Sequence, residues 1–376
     1  VLHFGETENP YNSQEECYMH FFETLDSAIA VLKDVVENNP DAKPLEEVDA
    51  LYHGDYSKWL KLANSVKLRL AMRICYVKPD LAKQYAMEAV RDGVMETADD
   101  SALFQSWGSI TIINPLEKIW NGYSDTRMGA SMDSYLNGYN DPRLPVYFQP
   151  VTDGDNKGEY RGVANGMPNP QQDDYKVMSA PNVQEKSTDS PLRWMMASEV
   201  AFLRAEGAMR GWTAEMGGTA EEFYNKGIEL SFLENGLSAD AAARYAADET
   251  SKPTDFTDVS AANTKYNISA LGKITIKWNA GASEEEQLER IITQKWIAMF
   301  PNGTEAWSEF RRTGYPRLFP VRYNYPSSGV DTNKQIRRMV FPQSEYSNNG
   351  AAVQEAVKLL GGPDNGGTKL WWDKKN

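Results

Sequence analysis

Only two cysteines, Cys17 and Cys75, occur in 376 residues, so a disulfide scaffold is excluded and one bridge is the upper limit. Histidine is limited to His3, His20 and His53. None of them lies near a Gly-x-Ser-x-Gly elbow or another nucleophile signature. Long apolar runs are missing too. The longest, Ala28 to Leu32 and Trp296 to Phe300, have five residues, against about 20 for a membrane-spanning helix. Cations are in deficit: Lys+Arg 39 minus Asp+Glu 53 gives −14. That balance argues against nucleic acid, whose phosphates require clustered Lys and Arg. There is no Gly-x-Gly-x-x-Gly and no phosphate loop ending Gly-Lys-Ser or Gly-Lys-Thr, and no cofactor is expected. Val1-Leu2-His3-Phe4-Gly5 carries neither a basic n-region nor a long apolar stretch, so no signal peptide is in view.

Aromatic residues are plentiful: Trp 10, Tyr 19 and Phe 13 make up 11% of the chain, too many for a disordered polar tail. Helical periodicity begins at Ser13-Gln14-Glu15-Glu16, a capping box in which the hydroxyl takes an orphan amide while Glu16 reaches back. Tyr18, Phe21, Phe22, Leu25, Ile29, Leu32 and Val36 follow at steps of three or four. A second helix is predicted from Ser57 to about Val77, broken by Pro79-Asp80, and a third from Leu81 to Arg91 with Gly93 at C′. Further helices follow Pro191, then the boxes Thr219-Ala220-Glu221-Glu222 and Ser283-Glu284-Glu285-Glu286. The pattern predicts a mainly α fold of stacked helical pairs like tetratricopeptide units, though Ala63 stands where the repeat signature has Gly.

We read 1–376 as one domain with a helical framework at about 11–95, 192–247 and 283–313. Loop-rich insertions occupy about 97–190 and 248–282, and a loop-rich segment runs from 314 to 376. Residues 101–190 hold eight Gly and seven Pro, 15 of 90, or 17% against 12% overall, which favours turns. The run Lys273-Ile274-Thr275-Ile276-Lys277-Trp278 reads as a short strand, and about Ala352 to Leu360 as a short helix stopped by Gly361.

Candidate chemistry is thin. Cys17-x-x-His20 with His53 and Cys75 offers four zinc-type ligands, but the second pair has no motif spacing and Cys75 reads as a core residue. Asp153 to Glu159 opens like a calcium loop, yet position five is Lys157 and position twelve is Ala164, so a polar turn is expected instead. No metal site is expected. Adjacent acids such as Asp99-Asp100 and Asp173-Asp174 mean little among 53 carboxylates, and no pair points to glycosidase chemistry. Aromatics in segments without a helical stripe are the remaining lead: a ring covers the apolar face of a sugar while neighbouring polar groups meet its hydroxyls. Trp107, Trp120, Tyr123, Arg127 and Trp278 are therefore the candidate ligand-binding residues, set against the alternative that such rings anchor loops.

The stretch Gly54-Asp55-Tyr56-Ser57-Lys58-Trp59-Leu60 through Arg73 resembles a hallmark segment of the SusD/RagB family, outer-membrane nutrient-binding lipoproteins of Bacteroidetes. Asp141-Pro142-Arg143-Leu144, Glu199-Val200 through Glu206, Thr293-Gln294-Lys295-Trp296 through Trp307, Arg311-Arg312-Thr313-Gly314-Tyr315-Pro316, and Arg337-Arg338-Met339-Val340-Phe341-Pro342 through Asn349 are similar in the same order. The resemblance implies a tetratricopeptide-like fold, an outer-membrane, cell-surface location and no catalysis. It implies binding of glycan or another nutrient oligomer for delivery to a partner TonB-dependent, SusC-like transporter. Membrane association would run through a lipid anchor, and that anchor is not in this sequence. The family's leader, lipid-bearing cysteine and first helices would precede Asn9-Pro10-Tyr11, so a longer parent chain is expected. Asn64, Arg69 and Arg311 read as buried polar anchors, and Glu345 and Asn349 as loop pins. The alternative function is a helical scaffold that binds a peptide or protein partner.

Overall fold

The computed structural model describes residues 9–168, 171–182 and 190–375. Val1 to Gly5, including His3, lies outside them. Helix α1 (Gln14–Asn38) starts at the expected box: Glu16 N–H donates to Ser13 Oγ at 3.2 Å, and Ser13 N–H donates to Glu16 Oε2 at 2.8 Å. Helix α2 (Tyr56–Arg73) is capped by Asp55 and ends four residues before the predicted Val77. A turn over Ile74 to Val77 follows, and Pro79 sits at the first turn of α3 (Pro79–Arg91), where it holds Lys78 out of the helical region. Proline here starts a helix and does not merely break one. Asp92 and Gly93 close α3, Gly93 with φ +95°.

The predicted boxes at Thr219 and Ser283 also form with both limbs. After α4 (Ala130–Gly138) come α5 (Ala197–Gly207), α6 (Ala220–Leu233), α7 (Ala239–Ala246), α8 (Glu284–Ala298), α9 (Gly303–Thr313) and α10 (Gly350–Leu360). Consecutive helices pack on one another, α1 on α2, α2 on α3 and α5 on α6, and α5 further touches α2 and α8. α5 and α6 approach so closely that a Cβ at Gly227 would lie 2.7 Å from the Phe202 ring. No helix among the described residues is long and apolar enough to cross a membrane.

Helix α5 is buried on nearly all sides, yet it carries Glu199 and Glu206. Burial alone would raise both carboxyls, and the cations around them more than offset it. Arg69 of α2 donates from Nε and Nη2 to Glu199 at 2.7 and 2.6 Å. Arg312 of α9 donates to both Glu206 oxygens at 2.7 and 2.6 Å, and to Glu309 at 3.1 and 2.6 Å. Lys295 of α8 lies 3.3 Å from Glu309, and Arg73 of α2 reaches Glu309 and Glu305. Four helices therefore meet on one charged lattice between two apolar clusters, one centred on α2, α3 and α5, the other on α5, α6 and α8. The expected anchors have matching roles. Asn64 donates to the Asp92 and Gly93 carbonyls, and Arg311 to that of Arg337. Glu345 accepts from Tyr11, and Asn349 donates to the Asn9 carbonyl.

The run Lys273 to Trp278 is a correction. It bends at Ile276 and Lys277 and belongs to no sheet, although Ile274, Ile276 and Trp278 are buried. Side chains replace the ladder: Tyr139 donates to the Ile274 carbonyl, Tyr224 to that of Ile276 and Arg290 to that of Lys277.

Replacing Arg312 by Ala removes the cation shared by two buried carboxylates, leaving Glu206 to Arg210 and Glu309 to Arg73 and Lys295, which costs about 3 kcal/mol. Urea unfolding should show the loss as a lower midpoint with the slope retained; a change under 1 kcal/mol would contradict the lattice. Glu206 is held at about 2, against an ordinary 4.5, and Glu309 well below it. Groups depressed in this way stabilise the fold above the unfolded value and lose that contribution as pH falls toward 2. Burial raises Asp133, Glu234 and Glu289, which act in the opposite sense but are fewer. Stability should accordingly fall between pH 5 and pH 3, read as the thermal midpoint at each pH.

Candidate functional site

Two short strands close the base of the long insertion. Strand β1 (Ala102–Phe104) pairs antiparallel with β2 (Leu192–Met195). Ala102 faces Met195 and Leu103 faces Arg193, so Trp194 is the extra residue of a bulge. Bulges re-aim side chains, and Trp194 is half exposed with its ring stacked on Phe104 at 5.1 Å and 15°. A second indole, Trp120, sits on the helical turn Lys118–Gly122. The short helix before it is capped by Asn114, which accepts from Leu116 N–H at 3.0 Å. The Trp120 ring lies nearly parallel to Phe300, with centroids 6.0 Å apart and planes 12° apart. Phe300 in turn rests on Tyr147 and Phe148 at 4.8 and 5.0 Å.

Trp120, Trp194 and Phe300 line one cleft of about 1210 Å³, whose polar lining includes Asn182, Arg193 and Asn235. Arg193 is held by the Glu234 carbonyl and by Asn235 Oδ1 at 3.1 Å, while its Nη1 has no protein partner among the described residues. Asn182 donates to the Pro145 carbonyl at 3.0 Å. Among the described residues one carboxylate, Glu117, lines the cleft, whereas hydrolysis of a glycosidic bond by paired acids needs two. The cleft can therefore stack rings and exchange hydrogen bonds with hydroxyls and amides.

The wall behind it is fastened by a second polar knot. Arg143, fully buried, donates to Asp141 from Nε and Nη2 at 2.9 and 2.7 Å, to Ser231 of α6 and to Gln294 of α8. The segment from Asp141 to Phe148 is thereby bolted to the framework.

The five predicted residues fall in different surroundings. Trp120 and Arg127 both line a smaller cavity of about 220 Å³ with Trp296 and Phe148. Arg127, however, donates to the carbonyls of Tyr175, Ser124, Thr126 and Lys176, fastening two loops together. Tyr123 is 58% exposed, with the Lys118 ammonium 6.0 Å from its ring. Trp107 is 37% exposed, donates to the Glu46 carbonyl at 2.6 Å and stacks on His53 at 3.5 Å. His53 is presented with φ +55° by a loop pinned on Asp49, which accepts from the amides of Leu51, Tyr52 and Gly54 and from the Trp59 indole. Trp278 is 8% exposed and packs on Tyr224 at 5.2 Å inside the second apolar cluster. Sequence reasoning missed Trp194: Leu192-Arg193-Trp194-Met195 has no apolar alternation, and the bulge that exposes the ring is set by pairing with a distant strand.

No group of three or more His, Cys, Asp or Glu among the described residues is arranged to hold a metal. Cys75 is buried beside Arg312, and Asp153 to Glu159 forms a turn closed by Gly158 N–H on the Val151 carbonyl.

A family model described as SusD-like, Susd and RagB outer membrane lipoprotein, matches residues 2–373. The chain belongs to the SusD-like family. A solved chitin-binding SusD homolog from Flavobacterium johnsoniae is similar at 43% identity and TM-score 0.91, over 99% of this chain and 76% of that one. A SusD-like protein from Bacteroides thetaiotaomicron is similar at 43% identity and TM-score 0.90 over 99% and 75%, and a SusD homolog from Bacteroides vulgatus at 37% and 0.91 over 99% and 74%. Curated proteins give no match. Membership makes this SusD-like chain a nutrient-binding protein of the outer membrane, on its cell-surface side, and not an enzyme.

Burying Trp278 among core rings makes its replacement a stability matter. Trp278→Ala should cost about 3–5 kcal/mol in chemical denaturation, and a loss under 1 kcal/mol would show that the ring is not part of the core.

Proposed function

We propose that the cleft between Trp120 and Trp194 captures an oligosaccharide, which the protein then delivers to a partner TonB-dependent transporter of the SusC type. The observation that carries this reading is the pair of indoles, each backed by a nearly parallel aromatic ring, on one cleft with Asn182, Arg193 and Asn235. Flat rings cover the C–H face of a pyranose, and the amides and guanidinium supply hydrogen bonds to its hydroxyls. Rings held in place by other rings lose little freedom on binding, which favours affinity. The exposed Trp107 and Tyr123 extend the reading as outer stacking positions. The name of the Flavobacterium johnsoniae relative makes chitin oligomers the first ligand to try. The transporter partner rests on family membership, and co-purification from outer membranes is its direct test.

Trp120→Ala and Trp194→Ala should each weaken chito-oligosaccharide binding about tenfold or more, about 1.4 kcal/mol, in calorimetry. Unchanged affinity in both variants would refute this cleft. New reducing ends on prolonged incubation would refute binding without turnover.

A further inference from the structure

In a protein of net charge −14, one cleft has only cations among the charged described residues that line it. It has a volume of about 530 Å³ and lies between the end of α9 and the C-terminal segment. Arg311, Arg317, Lys334, Arg337 and Lys369 line it, with no Asp or Glu in its lining, and it shares no lining residue with the aromatic cleft. Two of the five cations are matched by acids behind them: Arg337 donates to Asp373 at 2.8 Å, and Arg317 to Glu289 at 3.1 Å. The other three are not. Lys334 and Lys369 form no side-chain hydrogen bond or ion pair among the described residues.

Arg311 is the informative one. It is buried, with Trp307 and Trp372 rings 3.4 and 4.9 Å from its guanidinium carbon, and its bonds go to two carbonyls and a Ser308 hydroxyl. No carboxylate hydrogen-bonds to it. Burial, with repulsion from Arg73 and Arg337, brings it down to about 10. Lys369 is also lowered, first by burial, with Arg337, Lys334 and Lys374 repelling it against Asp373. The protein thus holds a buried guanidinium with no carboxylate bonded to it, costly without a counter-ion, beside two more open ammonium groups that form no ion pair among the described residues.

We propose that this cleft binds one oxyanion, the carboxylate or sulfate of an acidic saccharide or free inorganic sulfate or phosphate. Lys334, Lys369 and Arg317 make the accessible contacts, and Arg311 and Arg337 supply the fixed positive field behind them.

Calorimetry at low ionic strength with sulfate, phosphate, glucuronate and glucose tests the site on wild type, on the double variant Lys334→Gln with Lys369→Gln, and on Arg317→Gln. Wild type should bind at least one oxyanion and not glucose. The double variant should weaken that binding at least tenfold, and 0.5 M sodium chloride should weaken it strongly as well. Glucuronate bound in preference to sulfate and phosphate would identify a saccharide source, and the reverse order a free ion. Absence of oxyanion binding at 20 mM, or affinities within twofold in the variants, would overturn the proposal. Chito-oligosaccharide affinity of the same variants should be unchanged, so failure here and failure at the aromatic cleft are read separately.

Discussion

Four helices are tied together by carboxylates that no water reaches. Glu199 and Glu206 on α5, with Glu309 on α9, are buried where an isolated charge could not persist, and every one is met by a guanidinium or ammonium from another helix. Such a lattice is weak evidence for net stability, because apolar residues of equal volume can do as well. Its contribution is geometric. Arg69 satisfies Glu199 bidentately in one relative placement of α2 and α5, and Arg312 meets Glu206 and Glu309 in one placement of α5 and α9. Any slip of one helix strands a charge, so the frame has one register.

That register is passed outward to the loops. Arg143 carries the same device into the insertion, joining Asp141 to Ser231 and Gln294 on two framework helices. β1 and β2 close the insertion's base, and the bulge between them turns Trp194 onto the open face. Tied at its base by β1 and β2 and at Asp141 by Arg143, the insertion sets Trp120 against Phe300, and β2 sets Trp194 against Phe104.

The helices were legible because their signals are local. Three capping boxes need only four residues each, and all three form with both limbs. The polar anchors were legible only through resemblance, since nothing local tells that Arg69 will meet Glu199, 130 positions away. Candidate site residues were the least legible. Trp107, Trp120, Tyr123, Arg127 and Trp278 look alike in sequence, because periodicity is silent in irregular segments. Burial and hydrogen-bond partners separate them: Arg127 spends its donors on four carbonyls, Trp278 joins the core, and Trp107 and Tyr123 stay open. The run Lys273 to Trp278 shows the same limit. Its alternation reads as a strand, but alternation cannot tell a neighbouring strand from tyrosine hydroxyls as partners for the backbone.

Recognition without catalysis suits this construction. An enzyme must hold groups that change charge in the transition state, which calls for acids or bases with accessible, perturbed protonation. Here Glu206 and Glu309, both held far below the usual carboxylate range, are buried and committed to Arg312 and its neighbouring cations, and among the described residues Glu117 is the single acid lining the aromatic cleft. The perturbation of Glu206 and Glu309 serves the frame, and the aromatic cleft is left with rings, amides and the Arg193 guanidinium. Affinity then depends on how little the surface must reorganise, so the same buried charges that fix helix register would also limit the entropy lost on the proposed settling of a sugar against Trp120.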